Sequence, residues 1–152
     1  MELSNEQELA FEKYKRGENI FVTGPGGTGK SELIRIIYAD AKQNHKKISV
    51  CAMTGCAAVL LKCNAKTVHS WGGLGRCVGE TDDIIDRIKE NRYKRGAWVS
   101  TDVLIVDEVS MMSKKLFELM DKIGKATRKR DWQPFGGIQL IFTGDFYQLP
   151  PV

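Results

Sequence analysis

The order of apolar and polar positions along the chain predicts strands that alternate with helices. Four short runs are apolar almost throughout, which is typical of buried strands, and they occupy residues 20–23, 48–52, 103–106 and 138–143. Apolar residues at helical spacing predict helices at 4–16, 29–44, 82–91 and 113–125, and a further helix beginning after Thr54. Strands without alternation, separated by helices, indicate a parallel sheet covered on both faces. The predicted fold class is therefore α/β.

Signals between these runs predict where helices begin and where the chain is irregular. Ser4 and Gln7 fit a capping box for the first helix, and Thr81 and Ser113 fit N-caps for two later ones. We expect irregular structure at 64–75, a basic surface turn at 92–96 and a loop at 132–137.

Length and composition bound the class of protein. A chain of 152 residues with 42% hydrophobic residues is long enough for one domain with a core, which argues against disorder. The net charge of +4 is compatible with nucleic-acid binding but does not identify it. The N-terminus lacks a signal peptide's apolar core, and no apolar run approaches the roughly 20 residues that span a bilayer, so we expect no membrane partner.

The four cysteines, Cys51, Cys56, Cys63 and Cys77, do not suggest a metal site. None forms a C-x-x-C pair, and the chain has only two histidines, so we do not expect zinc. We expect four reduced thiols in an intracellular protein, with no indication of the compartment.

The first candidate site is a glycine-rich turn between the first predicted strand and the helix that follows. Gly24, Gly29, Lys30 and Ser31 fit the phosphate-loop pattern G-x-x-x-x-G-K-[ST]. Glycines let the backbone curl until its N–H groups face phosphate oxygens, and the helix adds its positive end. Lys30 then reaches the β- and γ-phosphates, and the Ser31 hydroxyl can bind Mg²⁺. An ordinary strand-to-helix turn is the alternative. The predicted nucleotide-binding residues of the turn are Gly24, Pro25, Gly26, Gly27, Thr28, Gly29, Lys30 and Ser31.

Two acidic residues follow the third apolar run and form the second candidate site. Asp107 and Glu108 come directly after residues 103–106, and ligands of open α/β sheets lie at the carboxyl ends of strands. Asp107 would help to hold Mg²⁺, and Glu108 would act as general base on the attacking water. The alternative is a solvated turn.

A third candidate site follows the last apolar run, where Gly144 and Asp145 lead to Gln148 and two prolines. The Gln148 amide could sense the γ-phosphate. The alternative is a turn that ends the strand, with the prolines in a linker. Because the chain stops two residues after Pro150, without a closing helix, we expect it to be an N-terminal fragment of a longer protein.

These motifs, in this order, resemble the first RecA-like domain of the Pif family of superfamily-one B helicases, and more distantly RecD and the conjugative relaxase helicases. The resemblance covers essentially the whole chain. Its most specific part is Phe-Gly-Gly-Ile-Gln-Leu at 135–140, followed by Gly-Asp-Phe-x-Gln-Leu-Pro-Pro at 144–151. The resemblance implies a single RecA-like P-loop NTPase domain over residues 1–152 and ATP-driven 5′-to-3′ unwinding of DNA.

The resemblance also implies roles for individual residues. Gln7 matches a residue that contacts the adenine edge, although its capping role is an equal alternative. Lys30 and Ser31 match phosphate and Mg²⁺ ligands, Asp107 and Glu108 match the metal ligand and the base, and Gln148 matches the γ-phosphate sensor. The implied catalytic residues are Lys30, Glu108 and Gln148, with ATP and Mg²⁺ as cofactors.

Single-stranded DNA is the partner that the resemblance implies. The residues in motifs that contact single-stranded DNA are Thr54, Gly55, Thr67, His69 and Trp71. Hydroxyl or backbone N–H groups can bind phosphate there, and an aromatic ring can stack on a base. Core packing is the alternative for Trp71, and a hydrogen-bonded structural histidine is the alternative for His69.

The second RecA-like domain, whose arginines would complete the ATP site, has no counterpart in the sequence. We therefore expect a C-terminal helicase domain as a partner, a monomer, and almost no activity of the 152-residue chain alone. A P-loop nucleotide or small-molecule kinase is the alternative function, and a non-catalytic binding module is a third. The intact Lys30, Asp107 and Glu108 argue against the latter.

Overall fold

A five-stranded parallel sheet forms the centre of the domain. The computed structural model describes residues 4–23, 28–75, 77 and 79–144, although not the side chain of Thr28. The strands are β1 Ile20–Thr23, β2 Ile48–Ala52, β3 Lys66–Thr67, β4 Val103–Asp107 and β5 Gln139–Gly144. Their order in the sheet is β1-β5-β4-β2-β3, and each neighbouring pair is parallel. The predicted parallel α/β sheet is confirmed, with the short β3 added at one edge.

Seven α-helices connect and cover the described strands. They are α1 Asn5–Lys15, α2 Thr28–Gln43, α3 Gly55–Leu61, α4 Val68–Gly72, α5 Thr81–Glu90, α6 Arg92–Ser100 and α7 Lys114–Arg128. Two short 3-10 turns, Val109–Met111 and Pro134–Gly137, precede α7 and β5. Across the described residues, no helix combines the length and the apolar character that a membrane span requires.

The sheet separates two hydrophobic cores. Side chains of β4 alternate between them: Leu104 and Val106 pack with α4 to α7, whereas Val103 and Ile105 pack with α1 to α3. All four are at most 1% exposed. This double burial explains why the strand is apolar at consecutive positions.

The cysteines are unpaired in this fold. Cys51 lies in β2 with no exposed surface, and burial raises the pKa of its thiol to about 12. Cys51 is therefore a neutral core residue at physiological pH, because its thiolate is strongly disfavoured.

The basic segment 92–96 is not the expected surface turn but the start of α6. Asn91 caps this helix, because its Oδ1 accepts hydrogen bonds from the backbone N–H groups of Tyr93 and Lys94. Trp98 then anchors the helix: its side chain is completely buried, and its Nε1 donates to the carbonyl of Gly72 at 3.0 Å. The free energy gained by burying this large ring stabilises the helix although the segment begins with polar residues.

Two further expectations need correction. Residues 64–75 are partly regular, since they contain β3 and α4, and Thr67 both ends the strand and caps the helix. α5 begins at Thr81 itself, with Glu80 at the N-cap position and no side-chain cap. Acidic Asp82 and Asp83 in its first turn favour the helix through the macrodipole instead.

Candidate functional site

The carboxyl ends of the strands meet along one edge of the sheet, and the predicted site residues lie there. Thr23 of β1 pairs with Gly144 of β5, Asp107 of β4 pairs with Ala52 of β2, and Ala52 pairs with Thr67 of β3. Adjacent strands are about 4.8 Å apart, so these strand ends form a continuous row. The predicted nucleotide-binding residues lie at or after the ends of β1, β4 and β5, and the predicted DNA-contacting residues lie at or after the ends of β2 and β3.

Part of the predicted phosphate loop belongs to the described structure. Gly29, Lys30 and Ser31 lie in the first turn of α2, which follows β1 after residues 24–27. The positive end of α2 therefore faces the edge of the sheet where β1 ends. The predicted residues outside the described part of the chain are Gly24, Pro25, Gly26, Gly27 and Gln148.

Gln7 connects the start of α1 to the start of α2. Its Oε1 accepts a hydrogen bond from the backbone N–H of Ser4 at 2.8 Å, and Ser4 Oγ accepts one from the Gln7 N–H at 3.2 Å. The predicted capping box is thus confirmed. Nε2 of the same amide donates to the carbonyl of Gly29 at 2.6 Å. The side chain therefore lies beside the phosphate-loop segment, and its implied adenine contact stays a prediction.

Asp107, the last residue of β4, is held by a residue that the sequence analysis missed. Its Oδ1 accepts a hydrogen bond from the Thr143 hydroxyl at 2.7 Å. Thr143 lies on the neighbouring strand β5 and has no exposed surface. The sequence signal that could have identified Thr143 is its polar side chain near the end of the largely apolar strand β5. The Thr143 contact fixes one carboxylate oxygen and leaves the other to bind a ligand.

Glu108 has a left-handed backbone conformation, with φ of 59°, which is uncommon for a residue other than glycine. Its Oε1 accepts hydrogen bonds from the backbone N–H of Thr54 at 3.2 Å and from the Thr54 hydroxyl at 3.1 Å. Asp107 and Glu108 are both half-buried and hydrogen-bonded, which favours held side chains over a fully solvated turn. The contact joins the predicted base to a predicted DNA contact.

Thr54 and Thr67 both cap a helix near the ends of neighbouring strands: Thr54 lies two residues after β2, and Thr67 is the last residue of β3. Each is the N-cap of the helix that follows: Thr54 Oγ1 accepts from the Ala57 N–H, and Thr67 Oγ1 accepts from the Ser70 N–H, both at 3.2 Å. Gly55 is the exposed first residue of α3. These groups lie at the end of the edge that is farther from β1.

His69 is the second residue of α4, two residues after the Thr67 cap, and is half-buried. It lines a cavity of about 320 Å³ together with Met53, Met111 and Lys115, among other residues. Met53 directly follows β2, so the cavity reaches the carboxyl end of that strand, and the DNA contact of His69 stays a prediction.

Trp71 is the predicted DNA contact that the structure places elsewhere. Its side chain is only 8% exposed and packs against Trp98, with ring centroids 4.5 Å apart. A base can stack only on an exposed ring face, and this ring is covered by the core. The stacking prediction is therefore corrected in favour of core packing, the alternative that the sequence had left open.

Comparison with known proteins gives a consistent result. The family model described as PIF1-like helicase matches residues 2–152. The ATP-dependent DNA helicase PIF1 of Candida albicans is 43% identical over 99% of this chain, and the match covers 16% of that protein. The crystal structure of Pif1 helicase from Candida albicans superimposes with a TM-score of 0.90 at 42% identity, covering all of this chain and 34% of that one.

A second solved structure contains ligands. Pif1 helicase from Bacteroides, in complex with ADP-AlF3 and ssDNA, matches with a TM-score of 0.79 at 30% identity, over all of this chain and 34% of that one. These matches agree with the predicted RecA-like fold, and none of them supports a kinase. The chain spans about a sixth of the length of the Candida albicans relative.

Proposed function

The chain belongs to the PIF1-like helicase family, and from this premise we propose that it is the ATP-binding and ATP-hydrolysing motor domain of a 5′-to-3′ DNA helicase acting on single-stranded DNA. The observation that carries the proposal is the row of strand ends. It brings a phosphate-loop helix, two held carboxylates and two capping threonines to one edge of one sheet.

ATP binds at the β1 end of this edge in the proposal. Lys30 contacts the β- and γ-phosphates, and the phosphate-loop motif provides backbone N–H groups to them. Gln7 lies against Gly29 and contacts the adenine. Its Oε1 and Nε2 each make one intrachain bond and each retain capacity for a second, which the contact uses.

Mg²⁺ fits the donor set present at the site. A hydroxyl and a carboxylate are hard oxygen ligands of the kind that this ion prefers, and they come from Ser31 and Asp107. The bond from Thr143 orients the Asp107 carboxylate and leaves an oxygen for coordination. When bound, the ion would supply positive charge that stabilises the negative charge developing on the phosphates.

Glu108 is the proposed general base. A carboxylate at this position can accept the proton of the water that attacks the γ-phosphate, and Gln148 senses that phosphate.

Single-stranded DNA passes over four residues in the proposal. Their hydroxyl, backbone and imidazole groups suit contacts with phosphate and sugar, and they are Thr54, Gly55, Thr67 and His69. The Bacteroides complex with ADP-AlF3 and ssDNA supports both ligands in a relative.

The proposed partner in catalysis is a second helicase domain, which supplies the arginines of the ATP site and the other wall of the DNA groove. We further propose a monomeric intracellular protein, and the unpaired cysteines support that environment.

The experiment uses the longer helicase that carries this domain, with the variant Glu108→Gln. Glutamine keeps an oxygen for both Thr54 donors, so the fold and ATP binding should persist, but an amide cannot accept the proton of the water. Phosphate release should fall by at least about 100-fold while the affinity for a fluorescent ATP analogue stays within about twofold. Normal turnover would remove Glu108 from the role of base. Transfer of phosphate to a small acceptor in place of water would favour a kinase.

A further inference from the structure

Both hydrogen-bond donors of Thr54 are committed to one oxygen of Glu108. A threonine has one backbone N–H and one hydroxyl proton, and the structure directs both to Oε1, at 3.2 and 3.1 Å. The hydroxyl oxygen also accepts from the Ala57 N–H as the cap of α3. Thr54 therefore has no donor left for a DNA phosphate while it holds Glu108.

The geometry of Glu108 points its side chain across the sheet edge to this partner. Glu108 follows β4, and Thr54 lies two residues after the end of the neighbouring strand β2, whose Ala52 pairs with Asp107. The left-handed backbone of Glu108 turns the chain out of the strand there. The carboxylate thus lies between the part of the sheet edge proposed to bind the nucleotide and the part proposed to bind single-stranded DNA.

We propose that Thr54 is a positioning residue that restrains Glu108 until a DNA phosphate takes over its donors. This inference rests on the proposed function. A DNA phosphate oxygen and the Glu108 carboxylate oxygen compete for the backbone N–H and the hydroxyl of Thr54. Binding of single-stranded DNA at Thr54 therefore releases Glu108. The released carboxylate accepts a proton from water, whose oxygen bonds to the γ-phosphorus as the bond from that phosphorus to ADP breaks. DNA binding and hydrolysis are then coupled through one exchange of acceptor.

The first test measures DNA-free and DNA-saturated turnover in the longer helicase. Thr54→Ala removes the hydroxyl donor, so the DNA-free kcat should rise by about five- to tenfold, and the ratio of stimulated to basal kcat should fall. Thr54→Ser retains the hydroxyl and should restore wild-type coupling. Ser113→Ala is the matched control, because Ser113 also caps a helix, α7, through its Oγ, whereas the hydrogen bonds described for the Glu108 carboxylate come from Thr54. Its basal kcat should match the wild type.

An unchanged or lower DNA-free kcat in Thr54→Ala, with only a weaker affinity for DNA, would overturn the proposal and leave Thr54 as a strand contact. A wild-type helicase without DNA-stimulated hydrolysis would instead contradict the proposed function, so the two failures are distinguishable.

The second test does not depend on the folding of Thr54→Ala. The affinity of the nucleotide-free longer helicase for a labelled oligo(dT) is measured by fluorescence anisotropy in wild type, Glu108→Gln and Glu108→Ala. Both variants remove the charge, but glutamine keeps an acceptor for Thr54 whereas alanine has none. Competition predicts that affinity increases from wild type to Gln and again, by at least about threefold, from Gln to Ala. Equal affinities of the two variants would mean that charge alone acts, and would overturn the proposal.

Discussion

The hydroxyl of Thr143 donates a 2.7 Å hydrogen bond to Oδ1 of Asp107, which links β5 to the carboxylate proposed to hold Mg²⁺. Thr143→Val keeps the β-branched shape in a fully buried site but removes the donor. Loss of such an orienting bond costs about 10- to 100-fold in metal affinity. Titration of Mg²⁺ against binding of a fluorescent ADP analogue should therefore show this shift.

The control for Thr143→Val is Thr127→Val. Thr127 is also buried, but its hydroxyl donates to the carbonyl of Ile123 inside α7. This variant should leave the Mg²⁺ midpoint unchanged. The same midpoint in Thr143→Val would show that Asp107 needs no support from β5.

Lys30→Ala should reduce nucleotide affinity by at least about 100-fold, because it removes a charged donor from the proposed β- and γ-phosphate site. The measurement is a titration of a fluorescent ADP analogue. Lys42→Ala is a matched control: Lys42 lies in the last turn of the same helix, and its ammonium lies 5.4 Å from the centre of the Tyr38 ring. Equal affinity in the Lys30 variant and the wild type would place the nucleotide elsewhere.

The strands were the most predictable part of the fold. The bounds of β1 and β2 agree with the sequence prediction to the residue. The physical reason is that parallel strands buried on both faces are apolar at consecutive positions, a signal that does not depend on distant contacts. Helix α6 lacks such a local signal. It forms around Trp98, which packs on Trp71 and donates to Gly72, and neither contact is visible in the residues of the segment itself.

The candidate site was predictable where its residues are consecutive in the chain. Lys30 and Ser31 follow a strand within one motif, and Asp107 and Glu108 do so within another. The contacts that hold the carboxylates were not predictable, because their partners are distant in sequence. Thr143 lies 36 residues from Asp107, and Thr54 lies 54 residues from Glu108. Those pairs meet only because the sheet has the order β5-β4-β2, which the hydrophobic pattern does not specify.

Trp71→Ala should destabilise the domain rather than specifically weaken DNA binding. The ring is 8% exposed against Trp98, and truncation of a buried tryptophan costs about 3–5 kcal/mol in the free energy of unfolding. Urea unfolding measures this loss. Trp132→Ala is the control, because Trp132 is 76% exposed and its removal should cost less than about 0.5 kcal/mol. Retained stability with a loss of about 1–3 kcal/mol in DNA binding would return Trp71 to base stacking.

The arginines of the chain bear on the activity of the isolated domain. Arg128 donates to the carbonyl groups of Trp98, Val99, Thr101 and Gly136 at 2.8 to 3.0 Å. Burial lowers the pKa of this guanidinium, and the nearby Arg130 lowers it further. Thr101, whose carbonyl Arg128 contacts, lies two residues before β4, and Asp107 is the last residue of that strand. At about 3.3 Å per residue, Arg128 therefore lies about 16–20 Å from the carboxyl ends of the strands. Arg128 therefore stabilises the opposite end of the sheet.

We expect the 152-residue chain to hydrolyse ATP at about 10⁻³ to 10⁻⁵ of the rate of the longer helicase, because arginines that cross an ATP cleft contribute about that factor in related phosphoryl-transfer enzymes. Arg128 is committed to backbone carbonyls, and Arg35 pairs with Glu32 at 2.9 Å on α2. Phosphate release is measured for the chain and for its extension through a second domain, with and without single-stranded DNA. Nucleotide binding by both proteins serves as the control for folding. DNA-stimulated turnover of the short chain near the rate of the extended one would show that a single domain completes the site, and would contradict the assignment of the arginines to a partner domain.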